Sequence, residues 1–222
     1  MFYHEKLQSV SQRIENAKQN SNFKENIKLV AVSKTVASAE ILRLYKAGCI
    51  AFGENRVQSL KEKCEELYTL SIEWHFIGRL QTNKINQLIA LRPALIHSCD
   101  SLELALEINK RLKIKNQKLD ILLQINSAKE DTKAGVEPEN AVQIYEKILN
   151  LCPNLNLKGV MSIGAHTDDV GAIQKSFETT REIYEQILPL GAKYCSMGMS
   201  GDFELAIKCG ANIIRLGTIL FK

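Results

Sequence analysis

The sequence predicts a single-domain α/β protein, a (β/α)8 barrel of the TIM type with an extra N-terminal helix. Eight short apolar segments alternate with longer segments of helical periodicity. Eight parallel strands separated by helices are the number that closes such a barrel. The length of 222 residues suits one barrel, and no linker-like or repetitive segment divides the chain. A doubly wound open sheet is the structural alternative that the alternation leaves open.

The predicted strands are short runs of mostly apolar residues bounded by turn-forming or polar residues. They cover residues 28–33, 50–53, 73–77, 94–98, 119–125, 157–163, 193–196 and 212–216. The segment 119–125 is nearly all apolar, which is typical of a parallel strand covered on both faces.

The predicted helices follow from apolar residues at helical spacing and from residues that begin or end helices. They cover about residues 5–19, 38–47, 56–70, 82–92, 100–112, 138–148, 168–188 and 202–210. Ser38 and Asp202 are expected N-caps, and Pro138 suits a first helical position. Gly48 and Gly210 are expected to end the helices that precede them.

Composition and charge predict a soluble domain that does not bind nucleic acid. Hydrophobic residues make up 45% and charged residues 24% of the chain, which is ordinary for a soluble domain. The net charge of +4 is mild, and the cations are spread along the chain rather than clustered. A dedicated nucleic-acid-binding protein usually concentrates its cations, so nucleic acid is not expected as a partner.

The cellular compartment is predicted from the N-terminus, the apolar runs and the cysteines. The first twenty residues are charged and lack the apolar core of a signal peptide. No run approaches the roughly 18 apolar residues of a membrane span. Six cysteines lack CxxC pairing and zinc-site spacing, so no metal is expected and the thiols are interpreted as reduced. A cytoplasmic protein without membrane partners is therefore expected.

Lys34 is the first candidate functional residue, because it directly follows the first predicted strand. Chemistry in barrels of this type collects at the C-terminal ends of the strands. A partly desolvated lysine amine at such a position can attack an aldehyde and form a Schiff base. A lysine that merely extends into water from the strand end is the structural alternative.

The last two predicted strands indicate an anion site. The segment 196–202, SMGMSGD, follows the seventh strand, and the segment 215–218, RLGT, closes the eighth. In barrels, a phosphate site is frequently built from these two loops and a helix N-terminus. Ser200 and Thr218 offer hydroxyl groups, whereas an ordinary turn with a helix cap remains the alternative.

Arg215 lies within an apolar strand, where a charge is costly unless it is paired or bound to a ligand. A structural salt bridge across the barrel is an equal alternative. Strands 1 and 8 are neighbours in a closed barrel, so Lys34, Arg215 and the phosphate loops can surround one phosphorylated aldehyde.

Polar residues also follow the second and third predicted strands. Glu54 and Asn55 follow the second strand, and either residue alone is explained equally well as a cap of the next helix. The third strand leads into a polar segment at residues 78–84, which is either part of a site or a solvated loop. His75 within that strand is as readily a hydrogen-bonded core histidine as a functional one.

These segments resemble the pyridoxal phosphate (PLP) homeostasis protein family, whose barrel is similar to the N-terminal domain of alanine racemase. The matching segments extend from one end of the chain to the other, and WHFIG-x-LQ-x-NK together with SMGMS-x-D is highly specific. They are LVAVSKT at 29–35, FGENRVQ at 52–58, WHFIGRLQTNK at 74–84, SMGMSGD at 196–202 and RLGT at 215–218. The chain departs from the family at 161–165, where MSIGA replaces the common MAIPA, and at its C-terminal residues.

The resemblance implies a role for each matched residue. Lys34 forms the internal aldimine with the aldehyde of PLP, and Arg215 hydrogen-bonds the pyridine nitrogen. The other implied cofactor-binding residues are Asn55, Ile77, Gly78, Ser196, Met199, Ser200, Gly217 and Thr218. Of these, Ser200, Gly217 and Thr218 bind the phosphate. Lys133 matches a family lysine suggested to receive or pass on PLP, although a plain surface loop is the default interpretation.

The resemblance implies a PLP carrier that acts in intracellular vitamin B6 homeostasis and has no catalytic residues. Alanine racemase-like enzymes add a second, mostly β domain that supplies a tyrosine base, and we expect none here because the chain ends with the barrel. PLP-dependent apo-enzymes are expected as transient partners of a monomer. A small PLP-dependent racemase and a cofactor-free phosphosugar aldolase acting through Lys34 are the alternatives.

Overall fold

The computed structural model describes residues 2–130 and 132–222 as eight parallel strands closed into a barrel. The strands are β1 Lys28–Val32, β2 Ala51–Glu54, β3 Glu73–Phe76, β4 Leu95–Cys99, β5 Leu119–Ile125, β6 Leu155–Ser162, β7 Tyr194–Ser196 and β8 Ile213–Leu216. Each strand pairs with its neighbours along the chain, and β1 pairs with β8. The closed barrel predicted from the alternation is therefore confirmed, and the open sheet is excluded.

Helices surround the barrel, and one of them precedes the first strand. The α-helices among the described residues are α1 Phe2–Gln19, α2 Ser38–Lys46, α3 Val57–Glu66, α4 Ile85–Leu91, α5 Leu102–Ile114, α6 Ala141–Leu151, α7 Val170–Ile187, α8 Phe203–Lys208 and α9 Thr218–Phe221. Helix α9, one turn long, was not among the predicted elements. No helix of the described chain combines the length and the apolar character that a membrane crossing requires.

Several predicted boundaries and caps differ from the structure for local reasons. Strand β6 begins two residues before its predicted start, because Leu155 and Asn156 already pair with β5. The N-cap of α2 is Ala37 rather than Ser38, which is the first helical residue. Asp202 occupies the N-cap position of α8, but its side chain makes no capping hydrogen bond to that helix.

Two separate groups of buried residues form the core. The smaller group fills the barrel interior and takes one apolar residue from each of six strands: Val30, Ala51, Leu95, Leu122, Met161 and Ile213. The larger group lies between the strands and the helices. Alternate residues of these six strands supply the two groups, as the pleat of a barrel strand requires. In β3 and β7 the interior positions hold His75 and Ser196, so the interior also contains polar side chains.

Gly159 produces an irregularity in β6 that lets β7 approach closely. Its φ of +141° is rarely adopted by other residues, and a Cβ atom there would lie 1.9 Å from the carbonyl oxygen of Tyr194. The register between β5 and β6 shifts just before this point, between Ile121 and Leu123. The glycine thus lets β6 stay paired with β7 at the point where the register of β6 with β5 shifts.

We predict that Gly159→Ala lowers the free energy of unfolding by about 2–4 kcal/mol, because it combines backbone strain with a clash against a main-chain oxygen. Urea unfolding followed by circular dichroism measures this change. Gly201→Ala is the matched control, since a Cβ at Gly201 meets nothing within 4 Å. Equal stability of the two variants would contradict the assigned role of Gly159.

Candidate functional site

Lys34 lies at the C-terminal mouth of the barrel, two residues beyond the end of β1. It continues the alternation of Val30 and Val32, the positions of β1 on the interior side. Its side chain is exposed, and it has no hydrogen-bond or ion-pair partner among the described residues. The amine is therefore accessible to a ligand that enters the mouth.

The predicted phosphate loops adjoin this strand end. The register of β1 and β8 continues so that Gly217 lies beside Val32, and a Cβ on Gly217 would be 3.4 Å from the Val32 carbonyl oxygen. The Gly217 amide donates a hydrogen bond to Ser200 Oγ at 3.2 Å, which joins the loop after β7 to the loop after β8. Lys34, Ser200 and Gly217 thus belong to adjoining strand ends.

The loops after β7 and β8 present amide donors to solvent. The amides of Thr218 and Ile219 begin α9, where a helix leaves its first N–H groups unpaired. Ser200 and Gly201 occupy the corner of a turn closed by the hydrogen bond from Asp202 N to Met199 O. None of these four amides has an acceptor among the described residues, and such a group of N–H donors suits an anion.

Asp202 holds this loop by a contact other than the predicted helix cap. Its Oδ1 accepts a hydrogen bond from the Met199 amide at 2.6 Å, which fixes the turn rather than α8. Burial raises the pKa of Asp202 above its usual value, and hydrogen bonding and Arg215 oppose that shift. Asp202 therefore occupies the predicted N-cap position of α8, but its side chain accepts a hydrogen bond from the Met199 amide instead of capping the helix. The Met199 side chain is 40% exposed at the same loop.

Arg215 is buried inside the barrel, with 5% of its surface exposed. Its Nη1 donates to Ser196 Oγ at 2.7 Å, and its Nη2 donates to the Ser162 carbonyl oxygen at 2.8 Å. No carboxylate of the described chain lies within ion-pair distance, so the alternative of a structural salt bridge is wrong. Burial lowers the pKa of Arg215 to about 10, which still leaves the guanidinium charged at neutral pH. The other N–H groups of the guanidinium have no hydrogen-bond acceptor among the described residues.

Ser196 connects Arg215 to a chain of buried polar side chains that sequence reasoning largely missed. Ser196 Oγ lies 3.0 Å from His97 Nδ1, and His97 Nε2 lies 2.8 Å from His75 Nδ1. His75 Nε2 lies 3.2 Å from Glu73 Oε1, which also accepts a hydrogen bond from Lys28. Of the two interpretations of His75, the hydrogen-bonded core histidine is the one the structure shows.

The charge states within this chain follow from burial and hydrogen bonding. Burial lowers the pKa of His75 below 6.5 and that of His97 well below 6.5. The hydrogen bond from His75 is the main cause that lowers the pKa of Glu73 to about 2, with Lys28 contributing in the same direction. At neutral pH the chain therefore consists of two neutral imidazoles between a cation and a carboxylate.

Asn55, Ile77 and Gly78 line the neighbouring strand ends on the other side of Lys34. A Cβ on Gly53 would lie 3.3 Å from Ile77 Cδ1, so these two strand ends touch. A Cβ on Gly78 would lie 2.0 Å from the Asn55 carbonyl oxygen, which makes glycine necessary there. The predicted binding residues thus occupy the ends of five successive strands, β7, β8, β1, β2 and β3.

Glu54 is fully buried on the outer side of β2 and holds the turn that carries Lys34. Its Oε1 accepts hydrogen bonds from Ser33 Oγ and Lys63 Nζ, both at 2.6 Å. Lys63 Nζ also donates to the Ser33 carbonyl oxygen at 2.7 Å. Glu54 is therefore no helix cap: it forms a buried ion pair that fixes the residue before Lys34. The only signal for this pair in the sequence is weak: Lys63 falls at the spacing of the buried residues of α3.

Lys133 lies at the far side of the barrel mouth. Its Nζ donates to Glu130 Oε1 at 2.8 Å and to the Gly164 carbonyl oxygen at 2.7 Å. With Ile77, Gln124 and Ile163 it lines a cavity of about 250 Å³. Its side chain is 18% exposed, so this loop packs against the loop after β6. Gly164 belongs to the segment that departs from the family pattern.

The larger cavity, of about 770 Å³, lies at the opposite end of the barrel. Residues that begin strands line it, among them Lys28, Ala51, Glu73 and Tyr194. The strand C-terminal ends, where the lysine and the anion-binding loops meet, are nevertheless the better candidate site, because reactive and donor groups converge there.

Comparisons with known proteins identify the family to which the chain is similar. A model of the family "Alanine racemase, N-terminal domain" matches residues 6–222. A pyridoxal phosphate homeostasis protein of Helicobacter pylori is 51% identical over 220 residues, which cover 99% of this chain and 98% of that protein.

Solved structures extend the comparison. The structure of PipY of Synechococcus elongatus PCC7942 with PLP bound superposes with a TM-score of 0.85 at 30% identity, covering 99% of this chain and 100% of that one. An alanine racemase of Clostridium difficile has a TM-score of 0.75 at 20% identity, covering 96% of this chain and 56% of the racemase. The racemase likeness concerns the fold alone.

We predict that Lys63→Met lowers the free energy of unfolding by about 3–5 kcal/mol, because it leaves the buried Glu54 carboxylate without its cation. Chemical denaturation is the measurement. Lys61→Met on the same helix is the control, since Lys61 is half-exposed and pairs only with Glu65 at the surface. A similar small loss for both variants would show that the Glu54 pair does not hold the turn.

We also predict that stability falls as the pH is lowered below about 6.5. The folded protein keeps His75 and His97 neutral, whereas the unfolded chain takes up a proton at each. Each histidine then contributes up to ~1.4 kcal/mol per pH unit to the loss, which is reversed on raising the pH. Urea unfolding between about pH 5.5 and 7.5 should show a flatter dependence for His97→Gln than for the exposed control His4→Gln. Identical slopes would contradict the assigned charge states.

Proposed function

The chain belongs to the pyridoxal phosphate homeostasis protein family, and we propose that it binds PLP on Lys34 and serves vitamin B6 homeostasis in the cytoplasm. The aldehyde of PLP forms a Schiff base with a lysine amine, which makes the attachment covalent and reversible. The observation that carries the proposal is the convergence of an unpaired amine, a group of amide donors and a buried arginine at adjoining strand ends.

The described residues fit each part of PLP. The amides and hydroxyls of Ser200 and Thr218 suit the phosphate, because they are donors in the turn after β7 and at the start of α9. Gly217 contributes by joining the two loops, since its own amide donates to Ser200 Oγ. The buried Arg215 retains N–H donors beyond those used by Ser196 and Ser162, and the pyridine nitrogen is an acceptor. In this proposal Lys34 lies between the two.

The remaining proposed binding residues shape the walls of the pocket. Asn55, Ile77 and Gly78 form the side made by β2 and β3, where the contact between Gly78 and the Asn55 carbonyl fixes their spacing. Met199 covers the phosphate side, and Ser196 supports Arg215 from below. The proposal assigns no catalytic role and no metal to any residue.

A carrier is the better proposal than an enzyme. An arginine donates a hydrogen bond to the ring nitrogen without protonating it, so the ring withdraws electrons less strongly than one paired with a carboxylate. Every tyrosine of the described chain lies on a helix, between elements or at the start of β7, away from the barrel mouth where a base would be needed. The curated relative matched over 98% of its length also carries the homeostasis name.

The proposal extends to partners and assembly. Residues 1–222 form one PLP-binding barrel that acts as a monomer and passes its cargo to PLP-dependent apo-enzymes in transient encounters. Neither nucleic acid nor a membrane is included as a partner. The open mouth supports transfer, since Lys34 is exposed to incoming amines and water.

We predict that the purified protein mixed with PLP turns yellow, and that borohydride reduction fixes one PLP on the peptide that contains Lys34. Lys34→Ala should abolish the visible absorption band of the PLP attached to the protein, while contacts with the phosphate still allow weak binding of PLP. Lys46→Ala, an exposed lysine on α2, is the matched control and should keep the band. Mass spectrometry locates the adduct.

Three outcomes would refute parts of the proposal. A band that persists in Lys34→Ala moves the attachment to another lysine. Rapid exchange of the α-proton of an amino acid for deuterium identifies a racemase-type enzyme. Cleavage of a phosphosugar by protein free of PLP identifies an aldolase.

A further inference from the structure

The polar chain inside the barrel has its hydrogen bonds oriented in one direction. Arg215 at one end has only donors, and the ionised Glu73 at the other end has only acceptors. Each group between them can both donate and accept, so the two ends decide which nitrogen of each histidine carries hydrogen. The chain crosses the barrel from β8 through β7 and β4 to β3.

One arrangement of hydrogens satisfies every contact. Glu73 accepts from His75 Nε2, which leaves His75 Nδ1 as an acceptor for His97 Nε2. His97 Nδ1 then accepts the hydroxyl hydrogen of Ser196, and Ser196 Oγ accepts from Arg215. The reverse arrangement would place a bare His75 nitrogen against the Glu73 carboxylate, 3.2 Å away. An imidazolium in the chain is disfavoured because both rings are buried.

The fixed direction restrains the guanidinium of Arg215. Because the Ser196 hydroxyl hydrogen is used by His97, the lone pairs of Ser196 remain available to Nη1 of Arg215. The Ser162 carbonyl holds Nη2 from a different strand. Among the described residues there is no group of three or more His, Cys, Asp or Glu side chains placed to hold a metal ion. The row of hydrogen-bonded side chains from Arg215 to Glu73 is therefore interpreted as positioning Arg215 rather than as binding a metal ion.

We propose that Glu73, His75 and His97 are positioning residues that act through Ser196 to fix Arg215 for the pyridine nitrogen of PLP. The inference rests on the proposed function and goes beyond it by naming what sets the orientation of the arginine. Glu73 is anchored in turn by Lys28 at the N-terminal end of the barrel. The contact that matters most is the acceptor on His97 that faces Ser196.

Two substitutions at His97 separate this role from simple packing. The substitution His97→Asn keeps an acceptor near the place of Nδ1 and loses the contact with His75. The substitution His97→Gln reaches toward His75 and loses the acceptor for Ser196. We expect His97→Gln to weaken PLP binding about tenfold and to shift the visible band of the bound cofactor, since a hydrogen bond that orients a charged group is lost. His97→Asn should retain most of the PLP affinity and most of the position of the absorption band of the wild type.

The experiment titrates PLP into wild type, His97→Gln, His97→Asn and the exposed control His4→Gln, after circular dichroism has shown that each variant is folded. In parallel, ¹⁵N NMR of the wild type without PLP determines the tautomer of His97, which requires no variant. We expect hydrogen on Nε2 and none on Nδ1. Hydrogen on Nδ1, or a charged ring, would overturn the proposed direction of the chain.

The remaining outcomes are also decisive. Equal spectra and affinities for His97→Gln and His97→Asn, whether unchanged or equally impaired, would overturn the positioning role. The acceptor that faces Ser196 would then have no effect on PLP binding. A wild type that develops no visible band would refute the proposed function and with it the role toward PLP. The NMR result would then distinguish that failure from an error in the hydrogen-bond direction.

Discussion

The structure depends on one buried cation. Arg215 lies inside the barrel with a serine hydroxyl and a main-chain carbonyl as its hydrogen-bond partners, and no carboxylate among the described residues lies within ion-pair distance of it. Removing such a charge from water costs several kcal/mol even after relaxation. The cost is tolerated because polar side chains replace apolar filling along β3, β4 and β7. The barrel interior therefore contains both a group of apolar side chains and a row of hydrogen-bonded polar side chains from Arg215 to Glu73.

A second buried charge on the other side of the sheet complements the first. Glu54 and Lys63 lie between β2 and α3 and bind Ser33, which precedes Lys34. The interior chain thus holds the residue proposed to meet the ring nitrogen, and the outer pair holds the turn proposed to present the amine. The two sets lie on opposite faces of the strands and share no residue.

Much of this arrangement could be predicted from local patterns. The alternation of apolar runs and helical periodicity predicted the closed barrel, and Lys34 and Arg215 were found because a charge at or within a strand end is conspicuous. Residues that act through distant contacts could not be found in this way. His97 meets Ser196 at a separation of 99 residues, and Ser162 contributes only a carbonyl, which carries no sequence signal. The sequence predicts Asp202 as a helix cap and leaves capping by Glu54 as an alternative, because a capping position looks the same whether or not the side chain turns elsewhere.

The most direct measurement is a crystal structure of the protein grown with PLP at neutral pH. We predict electron density that joins Lys34 Nζ to the cofactor, a phosphate against the amides of Ser200 and Thr218, and a hydrogen bond from Arg215 to the ring nitrogen. The contacts of Arg215 with Ser196 and Ser162 should persist. PLP bound in the cavity at the N-terminal end of the barrel, or an Arg215 side chain turned away from the ring, would contradict it.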